Sequence, residues 1–263
     1  MSTTVHPTSV IEAGAALHDG VYVGPFCHVG ANVELGAGTR LISHASVRGT
    51  TKLGSDCVLR PYAAIGGVPQ VLGAEESPDS RLEIGDKCVF HENSTVHTGW
   101  PKTGGLTKVG VNCLVMVGAH IAHDCQIGSN VVMATNASLA GHVHVGDNVW
   151  FGGLAAVHQF SRIGRNALIG GGAIVVEDVI PFGSVIGNHA KLAGLNTVGL
   201  KRRGFSKADL HQIRAAYRAV FKGEGLFKDR LASAATAFEG QALAMELIDF
   251  IREGGDRPIC KPG

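Results

Sequence analysis

From Val5 to Ile65 every sixth residue is aliphatic: Val5, Ile11, Leu17, Val23, Val29, Leu35, Leu41, Val47, Leu53, Leu59 and Ile65. The series resumes at Ile84, Phe90 and Val96. It then runs from Val109 to Val175 through Val115, Ile121, Ile127, Met133, Leu139, Val145, Phe151, Val157, Ile163 and Ile169. With 45% apolar residues in the chain, two such runs in one fixed register arise by chance with a probability on the order of 10⁻⁸. A helix repeats near 3.6 residues and a half-buried strand at two. A repeat of six predicts short strands joined by corners, each sending one large apolar side chain inward: a parallel β-helix.

Three hexads close one triangular lap in the hexapeptide class, so residues eighteen apart stack at roughly 4.8 Å along the axis. The register slips between Ile65 and Ile84 and between Val96 and Val109, which predicts loops near 66–83 and 97–108, both rich in Gly, Pro or charge. The repeat fades after Val175. Ser206 with Asp209 then reads as a helix start, followed at helical spacing by Leu210, Ile213, Tyr217, Val220 and Phe221. Residues 226–235 and 241–251 read as two further helices. The expected organisation is a β-helix over 1–190 and a small C-terminal α-helical domain over 191–263, capping the open coil end.

A net charge of +1 gives no global footprint for nucleic acid. The N-terminus lacks a signal-peptide pattern and no long apolar run occurs, so a soluble, cytoplasmic protein is expected. Five of the six cysteines, Cys27, Cys57, Cys88, Cys113 and Cys125, fall four places after an inward hexad residue. Ala63, Ala119, Ala137 and Ala155 fill the same slot in other laps. Reduced cysteine is therefore read as a small apolar filler, and no CxxC pair argues for a metal.

Stacking also predicts a site. His123 has Gly141 and Gln159 above it in successive laps. Asp124 has His142 and Phe160, and Ala122 and Ala140 lead to His158; His120 is close in sequence. An imidazole base, a carboxylate partner and a glycine N–H able to approach a ligand are the parts of acyl transfer to a hydroxyl. No Ser or Cys stands beside a His in these columns, apart from Cys125 in its filler slot, so direct transfer is expected over a covalent acyl-enzyme. His6, His18, His28, His44, His144 and His211 read as surface residues. A three-histidine zinc site needs two His five apart, and none occurs; His91 and His97 are six apart.

At these residues the chain resembles the acyl-[acyl-carrier-protein]–UDP-N-acetylglucosamine O-acyltransferases of lipid A biosynthesis. The motifs are GLTKVG (105–110), AHIAHDC (119–125), LAGHV (139–143), AVHQF (156–160), GNHA (187–190) and GLKRRGF (199–205). The resemblance implies a homotrimer of left-handed β-helices with active sites between subunits. It implies acyl carrier protein as donor, a UDP-sugar as acceptor, and no cofactor. In it His123 is the general base acting on the sugar 3-hydroxyl, Asp124 supports the imidazole, and Gly141 donates to the oxyanion. His120, His142, His158 and Gln159 match cleft-lining positions, as do His97 and His189; Asn196 and Arg202 match residues near the nucleotide and the phosphopantetheine arm. Lys201, Arg202 and Arg203 form a basic patch suited to an acidic carrier protein. Gly171 stands where the family sets acyl length.

Two departures lie near the sugar nucleotide: Gln70 is followed by Val71, Leu72 and Gly73 where an Asp and a Lys are common, and Val198 replaces a Glu. They raise the 3-amino analogue of the sugar as an alternative acceptor. Three other functions stay open. A related N-acyltransferase carries an extra N-terminal uridine-binding domain, for which hexads starting at Val5 leave no room. A small-molecule O-acetyltransferase using acetyl-CoA and a β-helix without chemistry are the others.

Overall fold

The computed structural model describes residues 2–263, and the hexad arithmetic is its architecture. The 28 strands of the described residues form sheets of 11, 9 and 8 strands, and all but the last stack in parallel into the three faces of a left-handed β-helix. Each strand pairs with the one a lap below and a lap above. The strands Leu114–Val115, His120–Ile121 and Gln126–Ile127 represent the first, second and third faces within one lap. Strands this short gain nothing from sheet formation alone; the inward hexad residues hold them. Val23, Leu41, Leu59, Phe90, Leu139, Phe151 and Ile169 are all fully buried, in one continuous column of core.

Register measures the two loops. An ordinary lap spans 18 residues, as from Asn112 to Asn130, where the side-chain Nδ2 donates to Oδ1 at 2.8 Å. Ser55 meets Asp86 after 31 residues, and Thr95 meets His120 after 25. The excess falls between the strands Ala64–Gly67 and Arg81–Ile84, and between Thr95–His97 and Leu106–Val109. Both insertions leave the same corner of the prism, the one between the second and third faces.

The corners have a rule of their own. The residue three places after an inward hexad residue adopts left-handed backbone at most corners, including Asp56, Asn112, Asn130, Asn148 and Asn166 with φ of 56–60°. Asparagine tolerates that region better than most side chains, which explains its recurrence there. The cysteines behave as filler: all six are free and buried. Burial pushes the Cys125 thiol up to about 12, which keeps it protonated and unreactive.

The coil ends in an antiparallel hairpin, Gly183–Ile186 with Lys191–Leu195, whose second strand lies past residue 190. Four helices follow: α1 (Thr197–Arg202), α2 (Lys207–Lys222), α3 (Phe227–Ala237) and α4 (Ala242–Glu253). Helix α2 opens on the Ser206–Asp209 capping box read from sequence. Helix α1 is the one sequence reasoning missed: at six residues with Gly199 inside it, it offers too little periodicity to detect. A buried ion pair ties helix to coil, Arg162 Nε donating to Asp178 Oδ2 at 2.7 Å and Arg162 Nη2 to the Phe250 carbonyl at 3.0 Å. No helix of the described residues is long and apolar enough to cross a membrane. Phe151→Ala is expected to cost about 3–5 kcal/mol in denaturant unfolding, whereas Cys113→Ala, filling its slot as other laps do, costs about 1 kcal/mol or less.

Candidate active site

The site lies on the corner that both insertions leave. His123 and Asp124 follow the second-face strand His120–Ile121, Gly141 and His142 follow Ser138–Leu139, and His158, Gln159 and Phe160 follow Ala156–Val157. Lap-to-lap bonds lock these levels together: the His142 N–H donates to the His123 carbonyl and the Phe160 N–H to that of Gly141, at 3.0 and 3.1 Å. The ring of His142 stacks on Phe160 at 4.7 Å and meets His123 edge-on at 5.1 Å. Asp124 and His142 both occupy the left-handed corner position, with φ of 59° and 61°.

Asp124 is the anchor, 5% exposed. His123 Nδ1 lies 2.7 Å from its Oδ2. A carboxylate oxygen only accepts, so Nδ1 carries the proton and Nε2 presents its lone pair outward. The same Oδ2 receives the Trp100 N–H at 3.1 Å and the Thr103 hydroxyl at 3.0 Å, both from the second insertion. The Asp124 N–H in turn donates to Thr107 Oγ1 at 2.8 Å. A Cβ on Gly104 would come within 2.9 Å of Asp124 Oδ1, so the loop closes over the carboxylate only with glycine there. Trp100 and Thr103 escaped the stacking argument because inserted residues have no lap partner; their signal was the unusual GWPKTGG composition, whereas Thr107 stands on the strand after the insertion, paired with Leu82.

Gly141 lies directly under the imidazole: a Cβ there would fall 2.6 Å from His123 Nε2. Its amide also has a property the corner supplies. The neighbouring Ala140 N–H donates to the Val157 carbonyl of the next lap, but the Gly141 N–H joins no such bond among the described residues. At three positions of the same offset, on the corner between third and first faces, a side chain takes up the N–H: Asp86 for Ser55, Ser129 for Val111, Asp147 for Ser129. Here the flanking positions are His123 and Gln159, which leave it open beside the His123 ring.

The remaining expected residues divide. His97 Nδ1 donates to the Val68 carbonyl at 2.6 Å, holding the first insertion, and its ring meets His120 at 5.3 Å. His120 Nδ1 pairs with Thr95 Oγ1 at 2.8 Å. Burial, helped by His97, drops His120 to about 4, and burial also lowers His142 despite the opposing Asp124 charge. His158 and Gln159 are exposed at the same corner, and Arg257 of the C-terminal tail contacts both. Gln70 is exposed in the first insertion, and His189, with φ of 52°, follows the second-face bridge of Asn188 to Ile174.

Four positions lie away from this corner. Asn196 caps α1 by accepting the Gly199 N–H and donates to the Asn166 carbonyl, at the corner between third and first faces. Arg202 and Arg203 follow it, exposed. Gly171 sits at the first-to-second corner above Gly153. Sequence stacking relates residues a lap apart and says nothing about which corner the appended helices approach.

His123, Asp124 and His142 also offer ligand atoms within 4.8 Å of one another. The Trp100 and Thr103 protons point at Asp124 Oδ2, the same oxygen that meets His123.

The described geometry has relatives. A family model described as UDP N-acetylglucosamine O-acyltransferase, domain 2, matches residues 178–260. The acyl-[acyl-carrier-protein]–UDP-N-acetylglucosamine O-acyltransferase of Azorhizobium caulinodans is 54% identical over 98% of this chain and 95% of its own length. The chain belongs to that family. The Caulobacter vibrioides member is 51% identical over 98% of both chains. The crystal structure of the Moraxella catarrhalis O-acyltransferase superposes with a TM-score of 0.93 at 38% identity, covering 98% of this chain and 99% of that one. These O-acyltransferases are named for UDP-N-acetylglucosamine, and nothing favours the 3-amino analogue raised by the loop departures.

The His120 shift carries a pH signature. Its folded value near 4 lies below the ordinary 6.5, so protons bind the unfolded chain first as pH falls between those values. Stability is full above pH 6.5 and declines toward pH 4. Denaturant titrations of wild type and His120→Gln across that window should show the variant's stability falling less steeply.

Proposed function

We propose that this O-acyltransferase moves a (3-hydroxy)acyl chain from acyl carrier protein to the 3-hydroxyl of UDP-N-acetylglucosamine, the first step of lipid A biosynthesis. The observation that carries the reading is the pairing of a lone-pair-bearing His123 Nε2 with the adjacent, unengaged Gly141 N–H. His123 takes the proton from the sugar hydroxyl as that oxygen attacks the thioester carbonyl. Asp124, held by the second insertion, stabilises the imidazolium that forms. The Gly141 N–H donates to the oxyanion of the tetrahedral intermediate. Collapse expels the carrier thiolate, and the imidazolium returns its proton to that sulfur, restoring the base. Cys125 plays no part, being buried and protonated.

The site is completed by a second copy. Asn196, Arg202 and Arg203 stand at a different corner from His123 within one chain, so they reach the cleft from a neighbouring subunit. A homotrimer also accounts for the corner between first and second faces. There Phe26, His44 and Tyr62 stack at 4.9 and 5.0 Å, and Leu154 is 65% exposed. Such an apolar edge is expected against an identical edge in a closed assembly. The Lys201–Arg203 patch then serves the acidic carrier protein, and the reaction runs in the cytoplasm, where acyl carrier protein and UDP-sugars meet.

Mass spectrometry of product from acyl carrier thioesters and UDP-N-acetylglucosamine tests the reaction. His123→Ala and Gly141→Ala should each lower turnover by about 10²-fold or more with the oligomer intact; wild-type rates in His123→Ala would end the proposal. Leu154→Asp should shift the sedimenting species from trimer toward monomer.

A further inference from the structure

We propose that Arg257 is a positioning residue that fixes His158 in the tautomer carrying its proton on Nε2, presenting a neutral N–H donor to the acyl-transfer cleft. Arg257 Nη2 lies 2.8 Å from His158 Nδ1, and Arg257 Nε donates to the Gln159 carbonyl at 3.1 Å. A guanidinium has donors only and keeps its charge, so the nitrogen it touches must hold a lone pair. One contact competes: His158 Nδ1 is also 3.2 Å from the Gln159 carbonyl, which would require a proton on Nδ1. That arrangement would set N–H against N–H at the shorter 2.8 Å contact. The carbonyl, moreover, is already supplied by Arg257 Nε. The Nε2–H form is the one both contacts allow.

The tail is built to hold the arginine there. On one side Gly255 passes so close to the buried ion pair that a Cβ would fall 2.6 Å from Arg162 Nε and 2.8 Å from Asp178 Oδ2. On the other, the Asp178 N–H donates to the Pro258 carbonyl and the Cys260 N–H to the Asp178 carbonyl, both at 2.8 Å. Arg257 thus sits between two fixed points of the backbone. Gly255 and Asp256 line a recess shared with His142 and Phe160, which places the tail along the site's own corner. Among the described residues His158 Nε2 has no hydrogen-bond partner, so its proton is available to an acceptor oxygen of bound substrate. That last step rests on the proposed acyl transfer; the tautomer does not.

Two readouts separate these. In ¹⁵N-labelled full-length protein, two-bond proton–nitrogen correlations report the His158 ring, assigned by its loss in His158→Gln. The expected wild-type spectrum has an unprotonated Nδ1 and a protonated Nε2, Arg257→Gln converts it to a mixture, and Arg257→Lys, which keeps a charged donor, stays closer to wild type. In steady-state assays with acyl carrier thioester and UDP-N-acetylglucosamine, Arg257→Gln should raise KM about tenfold with kcat within about threefold, and Arg257→Lys should recover part of the loss. A wild-type ring protonated at Nδ1, or a ring spectrum unchanged in Arg257→Gln, overturns the inference. If the wild type transfers no acyl group, the functional proposal fails while the ring spectra still decide the role of Arg257. Should Arg257→Gln unfold, the wild-type spectrum alone remains decisive.

Discussion

The vertical fit of one lap on the next is the constraint on which everything else depends. Each lap contributes strands of two residues at most positions, far too short to persist alone, and each is held by backbone bonds above and below and by one apolar side chain in the shared column. The interior is therefore a single core from Val21 to Leu192 and on into the helices that pack upon it. It follows that a corner residue is placed by its neighbours in space to within the strand repeat, whatever its side chain. Catalytic geometry can then be built from residues far apart in sequence without any loop having to find its own conformation.

That placement makes one corner special. Both insertions, the histidine columns and the C-terminal tail converge where the second face turns into the third. The fold leaves corner N–H groups outside the ladder, and at some corners a carboxylate or hydroxyl from an adjacent lap occupies them, as Asp147 does for Ser129. At Gly141 the neighbouring laps supply His123 and Gln159 instead. The proposed oxyanion donor is thus one of the N–H groups that the coil leaves outside its ladder. The His123 ring gains its direction from an interaction the coil cannot provide: Asp124 is fixed by Trp100 and Thr103 of the insertion, so an irregular segment orients a group that the regular scaffold positions.

Buried thiols, an asparagine ladder and the Arg162–Asp178 pair belong to stability, and they meet function at the tail. The same ion pair that fastens α4 to the coil presses on Gly255 and sets where Arg257 can reach. Stability and site are linked through this contact, since loosening the helical cap would also release a residue that touches the cleft wall.

The six-residue repeat alone determined the fold, the lap length, the two insertions and the filler role of the cysteines, because every lap obeys the same geometry and one lap predicts the next. The meeting of His123, Asp124, Gly141 and His142 was legible for the same reason: Gly141 lies one lap from His123, and His142 one lap from Asp124. Tertiary structure decided what has no repeat to follow. Trp100 and Thr103 reach Asp124 from inserted chain, Asn196 and Gly171 fall at other corners, and α1 is too short to show a period. Arg257 arrives at His158 across 99 residues because a tail without periodicity is steered by individual hydrogen bonds, and such bonds leave no pattern in the sequence that makes them.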